Sequence, residues 1–421
     1  MGVMRFIADF HLHSRYSRAT SQDMHLDSLN TWAKFKGIKL LGTGDFTHPT
    51  YFLELKTKLE PLGNGLFVLK DDPEGTYFIL TCEVSNIFGY KGKTRRIHNV
   101  IFAPSFEVVE KINARLRRLG KLSADGRPTF GFPAKDLVKL ILDISSDCLI
   151  VPAHAWTPWY SVFGANSGFD SLEECFEEQT PFISAIETGL SSDPQMNWRL
   201  SVLDHITLIS NSDAHSPNRI GREANIFQCP MDYQAITEGI RKKNLKRILA
   251  TIEFFPQEGK YHYDGHRQCG IRFTPEETRK HRAICPVCGK KLTVGVMYRL
   301  EELADRPPGF VPHTAIPVIH LIPLEEIIAS ALGHGRDTVA VQKEYVRMIE
   351  AGGSEFDILL ERTPEELTEF ATPRVLEGIL RVRQEEIHIT PGYDGVYGKI
   401  QIFPPEEEKG QEEDRQQLSL F

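Results

Sequence analysis

The chain has no apolar run long enough to cross a bilayer. Its most hydrophobic region, 137–153, is broken by Lys139, Asp143 and Asp147, well short of the roughly 20 apolar residues that a spanning helix needs. A secretory leader is not expected, because polar groups interrupt the first ten residues before an apolar leader core could form. Cysteine is sparse: of seven, Cys82, Cys148, Cys175 and Cys229 are scattered without framework spacing. That excludes a disulfide scaffold and suits buried packing residues. A cytoplasmic protein with no membrane partner is the simplest expectation. Positive charge is in deficit, the net being −8, and taken alone this argues against a nucleic-acid partner. The deficit is uneven, however: residues 241–300 hold fourteen Lys and Arg against five Asp and Glu, whereas 405–421 hold two against six. Distribution matters more than the sum.

What is present from residue 3 to about 210 is an alternation of short apolar strands and helical patterns. Strands are expected near 3–8, 38–43, 77–82, 97–103, 148–153, 183–187 and 206–210. Helices fit 26–35, 106–119, 134–144 and 196–203. Seven βα-like units point to a closed or nearly closed α/β barrel, which places its chemistry at the C-terminal ends of the strands.

Candidate metal ligands fall at those ends. Asp9, His11 and His13 follow the first strand in A-D-F-H-L-H-S, and alternate residues of an extended chain face the same way. Asp45 and His48, in G-T-G-D-F-T-H-P, follow the second strand, and Glu83 follows the third. His154 ends the fifth strand, and Asp213 and His215, in S-N-S-D-A-H-S-P, end the seventh. His98 is the exception, lying near the start of its strand. Glu187, Asn211 and Arg222 are further polar groups near the same rim. A lone histidine after a strand usually packs or caps, but so many imidazoles and carboxylates on one rim are costly to gather without a cation. Mixed His and carboxylate ligands suit Zn²⁺, Mn²⁺ or Fe better than the all-oxygen shells preferred by Ca²⁺ and Mg²⁺. So many ligands imply two or three ions. Closely spaced ions make hydroxide at neutral pH and clamp both oxygens of an in-line displacement at phosphorus, so phosphoester hydrolysis is the natural inference.

These motifs together resemble the polymerase-and-histidinol-phosphatase (PHP) superfamily, whose distorted seven-stranded barrel carries a trinuclear metal site. The resemblance implies a first metal at His11, His13, Glu83 and Asp213, a second at Glu83, His98 and His154, and a third at His215 with His48 or Asp45. It implies catalytic roles for Asp213, His11 and Glu83. The sequence departs from that family at the second motif, where Phe46 follows Asp45 and the histidine comes three residues later.

Beyond the barrel, His266 and Cys269 precede C-P-V-C-G at Cys285 and Cys288. Two ligand pairs of this spacing match a structural Zn²⁺ site, with His262 and His281 competing for the place given to His266. The site shares its segment with the basic excess, which favours DNA contact. From 307 to about 403 the chain reads as mainly helical, with candidates at 324–332, 339–351, 364–370 and 372–383. The expected division is a PHP barrel over 1–255, a zinc-binding module over 256–300, a mainly helical domain over 301–404 and a disordered acidic tail over 405–421. The tail ends in Q-L-S-L-F, and its Gln417, Leu418, Leu420 and Phe421 resemble the bacterial sliding-clamp-binding motif.

Over its whole length the combination resembles the endonuclease Q family. That resemblance implies cleavage of the phosphodiester 5′ to deoxyinosine, deoxyuridine or an abasic site, leaving 3′-hydroxyl and 5′-phosphate. It also implies two or three active-site divalent ions (Zn, Mn or Mg), one structural Zn, damaged DNA as substrate and a sliding clamp as partner. The alternatives are a small-molecule phosphatase of the histidinol-phosphate kind, or an inactive metal-binding DNA scaffold.

Overall fold

A computed structural model describes residues 2–403. The tail and its Q-L-S-L-F terminus therefore lie outside the described residues. No helix among the described residues is long and apolar enough to cross a membrane.

The sheet grows outward from Val3–Asp9 (β1). On one side β1 pairs in parallel with Leu40–Gly42, which pairs in parallel with Tyr77–Tyr90. Tyr77–Tyr90 then turns back as the antiparallel Lys93–Ala103, which in turn pairs antiparallel with Leu149–Pro152. On the other side β1 pairs antiparallel with Ala224–Pro230, followed by antiparallel Ile248–Glu253 and parallel Val318–His320. Ala185–Glu187 and Thr207–Ile209 form a separate parallel pair. The α/β expectation holds, and so does a helical C-terminal region.

The uniform run of βα units does not hold. Between the third and fourth expected strands the structure has a hairpin, because Lys91 and Gly92 both take positive φ (47° and 75°). Two such residues make the tight turn that matches strand twist. His98 follows from this reversal. Its strand runs against its neighbours, so a residue early in that strand sits where later residues sit in the others.

Local signals fix the helices. Leu26–Lys36 ends on Gly37 in the left-handed region, with its N–H bonded to the Ala33 and Lys34 carbonyls. Pro364–Thr368 opens on a Thr363/Glu366 capping box. The helices Leu324–Leu332, Val339–Gly352, Pro364–Thr368 and Pro373–Arg383 lie close to the expected spans. The expected helix at 196–203 is instead a single turn, Pro194–Asn197, and a 3₁₀ turn, Ser201–Leu203. Asn197 is the reason: its side chain accepts from Trp156 Nε1 (2.8 Å) and donates to Asp193 O (2.8 Å), which competes with helix continuation.

After the helices, His388–Thr390 and Lys399–Gln401 form a hairpin. Its loop returns to the Cys/His segment. Gly392 N donates to Gln257 O, and Asp394 accepts from Arg267 N (2.7 Å) and Thr293 Oγ1 (2.5 Å).

Candidate metal centre

Beyond the end of β1, Phe10 and Leu12 turn into the core while His11 and His13 face the opposite side. A backbone bond from His13 N to Ala214 O (3.0 Å) ties this extension to the S-D-A-H loop. His13 Nε2 thereby lies 3.1 Å from Asp213 Oδ1 and 3.2 Å from Glu83 Oε2, and His11 Nε2 lies 3.7 Å and 3.5 Å from the same atoms. His11 Nε2, His13 Nε2 and Asp213 Oδ1 are buried without a hydrogen-bond partner. Buried polar atoms that converge without bonding each other are costly unless something lies between them, and a cation fits that place.

Glu83 serves two groups at once. Its Oε2 faces His11 and His13, whereas its Oε1 lies 2.6 Å from His98 Nδ1 and 3.1 Å from His154 Nε2. Glu83 pairs with Val100 and Ser85 with His98, so Glu83 and His98 are diagonal neighbours on one face of the hairpin. The structure therefore assembles His11, His13, Glu83 and Asp213 as one group able to hold a metal ion, and Glu83, His98 and His154 as a second. A carboxylate shared between adjacent groups is the geometry of a two-ion site.

Electrostatics agree with a clustered charge. Burial opposes ionisation of Glu83 and Asp213, yet both carboxyls stay well below their ordinary range. His98, Arg127 and His11 surround the former, and His13 and His11 the latter. Burial pushes His98 down to about 4, which leaves its imidazole neutral as a ligand must be. Arg127 Nη1 sits 3.0 Å from Glu83 Oε2 with about a third of its side chain open to the cleft.

A second layer of groups aims the ligands. Glu187 accepts from the backbone N of His154 (2.7 Å) and Asn211 Nδ2 (2.9 Å) and lies 2.9 Å from His11 Nδ1. Asp45 holds His13 Nδ1 at 3.1 Å and takes bonds from Ser14 N, Ser14 Oγ and Ser17 Oγ. Thr157 Oγ1 lies 3.0 Å from His154 Nδ1. Such partners fix the tautomer and orientation of each imidazole. Asp45, His154 and Asp213 all adopt positive φ, at 45°, 30° and 47°. Each such conformation costs on the order of 1 kcal/mol and concentrates where function requires it.

The expected third group is not assembled. Asp45 is spent on His13 and the serines. His48 accepts from Tyr51 N as a helix cap and stacks on Tyr16 at 4.5 Å. His215 lies beside His13, with ring centres 4.6 Å apart, but its Nδ1 contacts the Asp213 carbonyl. Asp9 is no ligand either: it accepts from Ser212 N and Gly221 N, and burial lifts its carboxyl to about 6. Arg222 grips the Ser212 carbonyl. Sequence reasoning missed Arg127 and Thr157. Nothing in R-P-T or W-T-P announces them, because their role depends on which loop crosses the rim.

A cleft of about 430 Å³ opens on these groups, walled by Arg18, Arg127, Thr157, Trp159 and Tyr160. Of the aromatic residues in W-T-P-W-Y, Trp156 is buried in the core, whereas Trp159 is exposed and packs edge-on against Tyr261 at 5.5 Å. Tyr397 is exposed beneath Lys260.

Farther along the chain, His266, Cys269, Cys285 and Cys288 come together as a third group able to hold an ion. Asp264–His266 and Ile271–Phe273 present the first pair. A turn in which Gly289 N donates to the Cys285 carbonyl, with Gly289 at φ 70°, presents the second. Burial works against the Cys285 thiolate, but the N–H groups of Cys288 and Val287 bring it down to about 7. His262 packs tilted against Tyr263 and His281 stacks on Phe273, and neither joins the group. The four remaining cysteines are buried free thiols.

A family model described as the MJ0043 C-terminal domain matches residues 323–386. The chain is 37% identical over 270 residues to the MJ0043 protein of Methanocaldococcus jannaschii, a match that spans 62% of this chain and about a third (33%) of that protein's length. It is 29% identical over 416 residues to YqxK of Bacillus subtilis, covering 94% of this chain and all (100%) of that one. Among solved structures, the lesion-specific endonuclease PfuEndoQ of Pyrococcus furiosus aligns with a TM-score of 0.85 and 32% identity, covering 94% of this chain and 95% of that one. An endonuclease Q bound to a 27-mer duplex with an abasic lesion at its active site aligns with a TM-score of 0.84 and 32% identity, covering 96% and 98%.

Proposed function

The chain belongs to the endonuclease Q family, and from that premise we propose that it is a metal-dependent DNA repair endonuclease. Its reaction is hydrolysis of the phosphodiester 5′ to a deaminated base, deoxyinosine or deoxyuridine, or to an abasic site, leaving 3′-hydroxyl and 5′-phosphate. The observation that carries this reading is the pair of ligand groups joined through Glu83 at the floor of a cleft rimmed by arginine, exposed Trp159 and half-buried Tyr160.

In this reading His11, His13, Glu83 and Asp213 hold one divalent ion and Glu83, His98 and His154 a second, drawn from Zn, Mn or Mg. Bound there, the ions supply Lewis acidity that activates water and offsets charge developing at phosphorus. The protein does the rest. Glu187, Asp45 and Thr157 hold the imidazole Nδ1 atoms so that the opposite nitrogens face inward. Arg127 and Arg18 line the cleft where a phosphate oxygen would rest, and guanidinium groups bind phosphate through paired donors. Trp159 and Tyr160 offer faces for an unstacked nucleotide, whose extrusion costs least at a damaged or mispaired position.

The division into a barrel over 1–255, a zinc module over 256–300 and a helical domain over 301–404 accompanies this reading. Zn²⁺ at His266, Cys269, Cys285 and Cys288 rigidifies the basic segment, whose Lys290 and Lys291 are exposed for phosphate contact. The tail end Gln417, Leu418, Leu420 and Phe421 docks on a sliding clamp.

Incubation with labelled duplexes carrying inosine, uracil, an abasic site or no damage, with Mn²⁺ present or chelated, tests the reading. The expected result is one nick 5′ to the lesion, lost on chelation and in Asp213→Ala. Hydrolysis of small phosphate monoesters without any nick would overturn it in favour of a phosphatase.

A further inference from the structure

The loop that carries Asp213 and His215 is braced from two directions. Within the α/β part, Asp9 accepts from Ser212 N and Gly221 N, Arg222 Nε donates to Ser212 O (2.9 Å), and Ser21 N donates to His215 O (2.8 Å). From outside, Arg219 on the same loop reaches the first turn of the helix Leu324–Leu332. Its Nη1 lies 2.8 Å from Glu326 Oε1 and 3.7 Å from Glu325 Oε1. Arg219 is mostly shielded, and Glu325 is buried with an Oε1 that makes no hydrogen bond, so that its contact with the guanidinium is a purely ionic one. A second close approach lies two residues on: Gly221, at φ 73°, faces Ile38 and Phe356, which a Cβ there would crowd at 2.7 and 3.3 Å. The region matched by the C-terminal family model, 323–386, thus touches the ligand loop at Arg219 and Gly221.

Asp213 has reason to need such a brace. Its backbone sits in the left-handed region at φ 47°, which a non-glycine residue abandons unless its surroundings hold it there. Relaxation to an ordinary φ would swing its carboxylate away from His11 and His13. A charge-assisted contact between shielded groups is strong enough to resist that, and acidic residues in a first helical turn also favour the local dipole.

We propose that Arg219 is a positioning residue. Held by Glu325 and Glu326, it lets the helical C-terminal region set the geometry of Asp213 and hence the affinity of the four-ligand group for its ion. This rests on the metal-site reading above. The helical region on this view is part of the catalytic framework, in addition to anything it does on DNA.

The test is Mn²⁺ titration of the metal-depleted full chain by calorimetry, an ion that leaves the thiolate site aside, alongside kcat, KM, DNA affinity in EDTA and Tm. Arg219→Ala is expected to weaken Mn²⁺ binding about ten- to a hundredfold and to lower kcat. KM and DNA affinity in EDTA should stay near wild type, and Arg219→Lys should recover much of the loss. Glu326→Gln should show the same pattern to a smaller degree, and it carries the comparison if Arg219→Ala does not fold. Unchanged Mn²⁺ affinity in a folded Arg219→Ala would overturn the proposal, whether only Tm fell, a structural role, or only DNA affinity fell, a contact to substrate. Because Mn²⁺ binding is read without substrate, absence of nicking by the wild type would count against the endonuclease reading and leave this result standing on its own.

Discussion

At the scale of single residues, the side chains that converge into the two candidate metal groups were legible in the sequence and their supports were not. His11, His13, Glu83, His154 and Asp213 announce themselves because so many imidazoles and carboxylates recur at the ends of successive strands, whereas His98, near the start of its strand, is pointed to by the family resemblance. Glu187 stood out only as a polar group near the rim. Its part, gripping His11, the His154 backbone and Asn211 together, needs three strands in place at once. Glu187→Gln is expected to weaken metal binding about ten- to a hundredfold with little change in Tm, as read by Mn²⁺ titration and thermal melting. A second prediction concerns Glu253. Burial raises its carboxyl from the ordinary 4.5 to about 8, and Glu223, itself buried without partners for either oxygen, sits beside the neighbouring pair Ala224 and Ile252. The native state therefore keeps a proton that the unfolded chain loses above about 4.5. Stability from this group is complete below that pH and falls as pH rises toward 8, with a slope of about 1.4 kcal/mol per pH unit for one fully linked proton. Glu253→Gln should melt close to wild type at pH 5 and progressively above it toward pH 8. A gap that stays constant with pH would contradict this.

At the scale of elements, period and punctuation read the helices well and the strand directions poorly. Gly333 and the Thr363/Glu366 box mark helix ends in any context. Whether Lys93–Ala103 runs parallel or antiparallel depended on Lys91 and Gly92, which look like any polar pair until their φ angles are known. Among the described residues Asp45, His48 and His215 do not come together as a ligand group, for a related reason. His48 follows a strand as a ligand would, but Pro49 after it begins a helix, and the imidazole serves as the cap. The turn before Asp45 is equally constrained. Gly44 has φ 64°, and a Cβ there would lie 2.2 Å from the Leu12 carbonyl oxygen. Gly44→Ala is expected to cost about 1–3 kcal/mol and to loosen Asp45 from His13, seen as a lower Tm together with weaker Mn²⁺ binding. In the Cys/His segment, Cys285→Ser or chelation should expose the segment 264–293 to hydrogen exchange while the β1 amides stay protected, because metal affinity there is local folding energy.

At the scale of the whole molecule, the sequence suggested separate units and the structure shows how firmly they are joined. Lys36 on Leu26–Lys36 pairs with Glu355 at 2.7 Å with both groups nearly fully buried, and Glu355 also accepts from Tyr345 and the Leu324 amide. Lys36→Met, which leaves that carboxylate without its cation, is expected to cost about 3–5 kcal/mol, measured by chemical denaturation. The returning loop at 391–398 likewise knits the segment that follows the helices to the Cys/His segment. No periodicity could reveal either contact, since each joins residues far apart in the chain.

The account depends above all on Glu83 joining two ions at the floor of the cleft. Anomalous diffraction from crystals of the full chain soaked in Mn²⁺ tests this most directly. It should show two peaks about 3.5–4 Å apart, one against His11, His13 and Asp213 and the other against His98 and His154, with Glu83 touching both. Anomalous density confined to the Cys/His group, with that floor free of metal, would contradict it.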